Sequence, residues 1–362
     1  MQGRNSKIVN CALEGGVCMS IILGKEKKFI VDRTLPEVVK RTEIVDQDLV
    51  GKFITLIKNI GVDFIEINGE VLQKIKKLPE NVDYIYRVED PLDVYEFEHL
   101  IIDYKKAETL SDEFLNKLRN KKIILEVDIK VLEKLNLEEN CKIFNKLNIV
   151  SIRIKGIVKY KITGWNRLIE NIKNRFSVYV DFCADDKFYM ATSVSLESCM
   201  DGADVVTAAF NGQVYGFASL EEVILGLKVI KNGKVCGNLE FMGQLAEMYT
   251  KLTRQKVHPM KAVIGEDIFK YESGIHVDGI EKNPDTYEPY NPYDIGKKRI
   301  MYIGKHSGKK AVIIKLKELN INYQDVDIGE FLKEIRKNSI KLKRNIFDKE
   351  LIAMFNDFKN IQ

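Results

Sequence analysis

Histidine is scarce in this chain. Its 362 residues hold four, His99, His258, His276 and His306, and no two lie closer than eighteen positions. Metal sites of the HxH or HExxH kind are thereby excluded. The six cysteines, Cys11, Cys18, Cys141, Cys183, Cys199 and Cys236, include no CxxC pair. That speaks against a zinc ribbon or a disulfide scaffold and for a reducing, cytoplasmic setting. Long apolar runs are missing as well: stretches such as Val205–Phe210 are far too short to span a bilayer. Nor is there an excess of one charge, since 57 Lys and Arg against 53 Asp and Glu leave a net +4 without a basic stripe. Nucleic acid is therefore not an expected partner. Met1–Ser20 lacks the charged start and sustained apolar stretch of a signal peptide. A 45% hydrophobic, 30% charged composition remains, with material for a sizeable core.

The stretch Glu14-Gly15-Gly16-Val17-Cys18-Met19 can be encoded by a ribosome-binding sequence followed by an ATG, so Met19 is an alternative start to Met1. The other reading is an ordinary tail. From Lys27 to about Val229, short apolar runs alternate with amphipathic stretches. The runs are Phe29–Asp32, Phe64–Ile67, Tyr84–Arg87, Leu100–Asp103, Ile123–Val127, Val150–Ile154, Val178–Phe182 and Asp204–Thr207. Between them lie helical patterns such as Asp48–Ile60, Asp112–Asn120 and Met190–Asp201. Eight such runs, each followed by a helix-like segment, predict an α/β fold, a (β/α)₈ barrel, with a doubly wound open sheet as the alternative. Thr34-Leu35-Pro36-Glu37 follows the first run where a dinucleotide fold would carry a glycine-rich loop.

After Gly233 the texture changes. A helical pattern over Leu239–Arg254 leads into Glu272-Ser273-Gly274-Ile275-His276-Val277-Asp278-Gly279, then Asn283–Pro289 and Gly304-Lys305-His306-Ser307-Gly308. Helical patterns over Lys310–Leu319, Ile328–Ile340 and Asp348–Phe358 close the chain. Loops rich in His, Tyr, Lys and Gly inside a lysine-rich helical region are candidate functional loops.

These segments carry a resemblance. SGIHxDG, followed by TYEP and GKHSG, resembles the linker subdomain of the homocitrate synthase and isopropylmalate synthase family, metal-dependent condensing enzymes of the DRE-TIM metallolyase type. Gly61–Glu66 at the second run and Ser219–Val223 after the eighth extend the likeness from about Phe29 to the C-terminus. It implies a TIM barrel followed by a mainly helical subdomain, and an acyltransferase reaction that joins acetyl-CoA to a 2-oxoacid, 2-oxoglutarate by resemblance, with oxaloacetate- or pyruvate-type chain lengths as alternatives. In the family a divalent metal chelates the oxoacid, a base removes a proton from the acetyl methyl, and the thioester is then hydrolysed. The C-terminal regulatory domain of leucine-pathway members finds no counterpart, so leucine feedback is not expected.

The barrel departs from the family at its chemical positions. DTTLRDGEQ is matched by Asp32–Lys40, which puts Pro36 at the substrate-binding arginine, Glu37 at the metal-binding aspartate, Val39 at the acidic residue and Lys40 at the glutamine. HxHND reads Cys183-Ala184-Asp185-Asp186-Lys187, and GERAGN reads Gly212–Phe217, with Phe217 at the asparagine. Proline offers neither charge nor donor, and phenylalanine ligates nothing. Glu37, Cys183 and Asp185 could form a remodelled metal site, since residues two apart at a strand end share a side. The plainer expectation is a degenerate site of ordinary loop residues that binds no metal, with Cys183 a small buried hydrophobe.

The subdomain keeps its motifs. By resemblance His276 is the catalytic histidine and Tyr287 its partner. Glu272, Ser273, Lys305, His306 and Ser307 are the substrate-binding candidates, while His99 and His258 have no such context. Family members exchange this subdomain, which completes a neighbour's active site in trans. A degenerate barrel beside an intact subdomain resembles the omega-type subunit of a split homocitrate synthase of nitrogen-fixing anaerobes. That implies a hetero-oligomer with a catalytic alpha-type subunit, which would hold the Mg²⁺, Mn²⁺ or Zn²⁺ and the oxoacid arginine, this chain binding no cofactor of its own. The alternatives are a regulatory or scaffolding paralogue and a stand-alone enzyme with a remodelled site. The expected division is an extension over residues 1–26, a barrel over 27–231 and the linker and helical subdomain over 232–362.

Overall fold

A computed structural model describes residues 21–90, 96–132, 142–157, 164–272 and 274–361. Met19, Cys11, Cys18, Cys141 and Ser273 lie outside the described residues. The strands are β1 (Ile21–Leu23), β2 (Glu26–Asp32), β3 (Phe64–Ile67), β4 (Asp83–Arg87), β5 (His99–Asp103), β6 (Lys122–Asp128), β7 (Ile149–Lys155), β8 (Tyr179–Phe182), β9 (Val205–Ala208), β10 (Lys234–Val235), β11 (Lys270–Tyr271) and β12 (Ile300–Met301). Strands β2 to β9 pair in parallel in chain order, and β2 pairs with β9, from Phe29 opposite Val205 to Asp32 opposite Ala208, closing the sheet. The fold is thus the closed eight-stranded barrel. An open sheet is excluded by the β2–β9 pairing.

Each predicted run is a strand because its alternate residues must face two different surroundings. On the inward face, Phe29, Val31, Phe64, Ile85, Ile101, Ile124, Tyr179 and Val205 pack into one apolar layer, with the Phe29 ring 5.9 Å from Tyr179 and 6.4 Å from Phe64. The outward residues, such as Ile30, Ile65, Ile123 and Val180, are buried, as a parallel barrel wrapped by helices requires. Short polar residues start several of those helices. Asp46 accepts from the N–H groups of Asp48 and Leu49 ahead of Gln47–Asn59, and Asn68 and Ser111 act likewise ahead of Gly69–Lys74 and Asp112–Leu118. An antiparallel extension, β10 on β1 and β1 on β2, adjoins the barrel.

The chain divides into two compact units, residues 1–257 with 262–264, and residues 258–261 with 265–362. The division falls later than the expected break at 231/232. Helix Phe241–Thr253 packs against Gln47–Asn59, the Asn238 N–H donates to the Asn59 carbonyl at 2.8 Å, and Gly237 lies so close to the Ile60–Gly61 backbone that a Cβ would collide with it. Those contacts bind residues 237–253 to the barrel unit. They are long-range, and the local sequence pattern gives no sign of them.

The second unit has a core of its own. Met301, Ile303, Ala311, Val312, Leu316, Phe331, Leu332, Ile335, Ile346, Leu351 and Phe355 form one buried cluster. It is built from helices Lys309–Glu318, Ile328–Leu342 and Asp348–Ile361 together with the parallel pair β11–β12. At its centre the Phe331 ring meets Phe355 edge-on at 5.3 Å and Phe358 at 5.3 Å. Phe331→Ala should destabilise this unit by about 3–5 kcal/mol, read as a lowered denaturant midpoint. A change below about 1 kcal/mol would show that the cluster is not its core.

Candidate functional site

In barrels of this kind, chemistry sits at the C-terminal ends of the strands. Moving up each strand by two residues from the apolar layer keeps the same inward face, and there the side chains become charged: Glu66, Arg87, Asp103, Glu126, Arg153 and Asp181, with Thr207. Arg153, with no exposed surface, donates through Nε to Asp181 at 2.6 Å and through a second nitrogen to Glu66. Arg87 donates to Glu66 at 2.8 Å and makes a bidentate pair with Glu126 at 2.7 and 2.9 Å. Lys155 joins Asp103 at 2.7 Å to Glu126 at 2.9 Å, and the Thr207 hydroxyl donates to Asp181. The layer where a substrate would enter is filled with interlocked ions.

These ions fix one another's protonation. Burial alone would raise the carboxyl of Glu66, but Arg87 and then Arg153 outweigh it and hold Glu66 down to about 2. Glu126 is lowered in the same way, burial being overcome by Arg87. Asp32, fully buried, hydrogen-bonded to Thr34 and near the charge of Glu66, is pushed up by burial to about 7.

The residues matched to the family's metal site sit around an arginine. Arg33 donates to Cys183 Sγ at 3.4 Å and to Glu37 Oε1 at 3.3 Å. Its guanidinium lies 3.9 Å from the centre of the Phe217 ring. Phe217 is held there by a backbone bridge to Asp185. Burial raises the Cys183 thiol, which keeps it protonated. A dication about 4 Å from Arg33 would meet a repulsion of about 8 kcal/mol at the effective dielectric of a protein. Among the described residues no group of three or more His, Cys, Asp or Glu side chains is placed to hold a metal. The donor set present does not fit the family's ion.

The second unit places the other candidates. Helix Gly274–Lys282 carries His276, and the turn Pro284–Thr286, capped by the Asn283 side chain, leads to Tyr287. The two rings face each other with centroids 5.0 Å apart at an interplanar angle of 52°. Both residues are exposed, Tyr287 by 40%. The approach depends on Gly279, where any Cβ would fall inside the Tyr287 ring. Asp278, bonded to Lys282 at 2.7 Å and Lys310 at 2.5 Å and held down to about 2 by those bonds, ties the helix to Lys309–Glu318. Beyond Tyr287, Glu288 takes Arg299 in a bidentate pair at 2.7 and 2.8 Å.

The remaining candidates form a second cluster. A Glu272 carboxylate oxygen accepts the His306 N–H at 2.7 Å. Ser307 is buried, its hydroxyl accepting the Gly304 N–H at 3.0 Å and donating to the Glu272 carbonyl, while its own carbonyl accepts from Arg336 at 2.7 Å. Glu272 and Ser307 therefore hold the Gly304–Gly308 loop in shape, and the loop presents the exposed side chains of Lys305 and His306.

Residues 263–343 match the family model described as homocitrate synthase post-HMGL domain-like. The chain is 44% identical over 348 residues to the homocitrate synthase omega subunit of Clostridium pasteurianum, covering 94% of this chain and 98% of that one. It belongs to the homocitrate synthase family. It is also 35% identical over 192 residues to 2-isopropylmalate synthase 2 of Caldanaerobacter subterraneus subsp. tengcongensis, spanning half of that protein. Among solved structures, an HMG-CoA lyase of Acinetobacter baumannii superposes with a TM-score of 0.51 at 14% identity, over 66% of this chain and 96% of that one, which supports the barrel fold alone. No helix among the described residues is long and apolar enough to cross a membrane.

Against that family background, sequence reasoning missed the ionic layer and Arg33. The signal was present: FIEI, YIYR, LIID, ILEVD, SIRIK and YVDF each carry a charge at an alternate position near the strand end. Arg153→Met should cost about 3–5 kcal/mol by taking from Asp181 its counter-charge and from Glu66 one of its two arginines, measured by chemical denaturation. For Asp32 the sign is set by its raised value. The native state holds a proton that the unfolded chain, at 3.8, releases, so stability falls as pH rises from about 4 through about 7. Glu66 acts oppositely, its contribution being lost as pH falls below 4.5 through about 2. Asp32→Asn should abolish the decline toward pH 7 and leave the acid limb in place. An unchanged decline between about pH 4 and 7 would remove Asp32 as its source.

Proposed function

We propose that this chain is the non-chelating subunit of a split homocitrate synthase-type acyltransferase of the cytoplasm. It would present His276 and Tyr287 to the active site of a catalytic alpha-type partner. The observation that carries this reading is the contrast between the units: exposed, facing His276 and Tyr287 rings at 5.0 Å on one, and a strand-end layer filled by its own ions on the other. The 98% coverage of an omega subunit supports it.

The proposed chemistry follows from the groups available. Condensation removes a proton from the acetyl-CoA methyl, forms a bond from that carbon to the keto carbon of 2-oxoglutarate, and then hydrolyses the thioester to release CoA. An imidazole can take or return the methyl proton, and a phenol hydroxyl can donate to the enolate oxygen as charge develops there. Glu272 and Ser307 set the loop whose Lys305 and His306 lie open to an anionic ligand. The oxoacid arginine and the divalent metal belong to the partner's barrel in this reading.

The test is reconstitution. This chain alone should condense no acetyl-CoA with 2-oxoglutarate, and the mixture with an alpha-type subunit should. In the mixture His276→Ala should lower turnover about 10²–10⁴-fold, the usual contribution of a general acid or base. Tyr287→Phe should lower it as well, while Cys183→Ser and Asp185→Asn should leave it unchanged. A mixture indifferent to His276→Ala and silenced by Asp185→Asn would place the chemistry in this barrel. A partner fully active by itself and only modulated by this chain would favour a regulatory paralogue.

A further inference from the structure

We infer that the Arg33 guanidinium is a tethered cation that takes the place of the metal ion in this barrel and keeps it permanently closed to one. The disagreement between the family's metal and this chain's donors has a definite centre. Glu37, Cys183 and Phe217, the residues standing at three matched ligand positions, all contact the same guanidinium, at 3.3, 3.4 and 3.9 Å. Asp185, at the fourth, presents a buried carboxylate oxygen with no hydrogen-bond partner among the described residues and feels the charge of Arg33.

The substitutions compensate one another. An ion needs oxygen, nitrogen or thiolate donors converging on a point; a guanidinium needs an acceptor in its plane and tolerates an aromatic ring against its face. Phe217 is useless to the first and suited to the second. A protonated thiol is a poor metal ligand but a passable weak acceptor. Glu37 serves either, and here it pairs in the i,i+4 manner with Arg33, both side chains largely buried. The cation also faces the ionic layer below: Glu66 attracts Arg33, while Arg87 and Arg153 repel it. Removing it would take from Glu37 the cation it pairs with, and replacing it by an ion would first require breaking the Glu37, Cys183 and Phe217 contacts. Pro36, which ends the possibility of an arginine at the oxoacid position, sits three residues from the arginine that now fills the site.

Metal titration and a double-mutant cycle on this chain alone test the inference, independently of any partner. Wild type should give no saturable heat with Mn²⁺ or Zn²⁺ and the same melting temperature with and without EDTA. Arg33→Met should melt about 10 °C lower, and adding Glu37→Gln should recover part of that loss, which a role in packing alone would not allow. Arg33→Lys should retain more stability than Arg33→Met. Saturable one-to-one uptake of Zn²⁺ by wild type, lost in Glu37→Gln, would overturn the assignment. So would an Arg33→Met chain as stable as wild type, or additive effects of Arg33→Met and Glu37→Gln. If Arg33→Met fails to fold, the wild-type titration and the Arg33→Lys melt decide.

Discussion

Arg153 is the largest side chain buried to completion in the barrel unit, and its charge has to be answered inside the barrel. Asp181 and Glu66 answer it directly, Arg87 then binds both Glu66 and Glu126, and Lys155 closes the chain to Asp103. Each of these ions is tolerable only because its neighbours are present, since a lone buried charge costs several kcal/mol that no packing term offsets. The network therefore behaves as one part. It adds little stability over an apolar layer of the same volume, but it commits most of the charged groups at the strand ends to one another, Arg153 keeping one buried guanidinium nitrogen without a hydrogen-bond partner among the described residues.

On the reading proposed above, that constraint lets the barrel keep its fold without the family's chemistry. The lower apolar layer around Phe29, Tyr179 and Ile101 closes the sheet in the ordinary way. The upper layer is the charged one. The charged groups there are bonded to one another, and Arg33 above them is bonded in the same way to Glu37 and Cys183. The second unit owes nothing to this layer for its own core, which is assembled from its own helices and the β11–β12 pair.

The eight barrel strands were legible because period-two alternation and the intervening helical patterns are local properties of the chain. The subdomain motifs were legible through their resemblance to the family; the structure adds that the Tyr287 ring packs where a Cβ on Gly279 would stand, which ties the SGIHxDG and TYEP segments together. What could not be read was long-range. Nothing near Leu239–Arg254 shows that this helix lies on Gln47–Asn59. Nothing near Arg33 shows that Cys183 and Phe217, 150 and 184 positions away, would turn toward it. The losses at Pro36 and Phe217 were visible; the replacement that made them compatible was visible only in three dimensions.

An exposed imidazole beside an exposed phenol can exchange protons with water, but it orders no substrate by itself. The enolate chemistry expected of His276 and Tyr287 needs a thioester held between them and an electrophile, with water kept out. Among the described residues of the second unit, Glu272 and Ser307 are bonded within the Gly304–Gly308 loop. A surface belonging to another barrel would supply both at once. On the reading proposed above, the pair's exposure, which would be a defect in a self-sufficient enzyme, is the condition for its use.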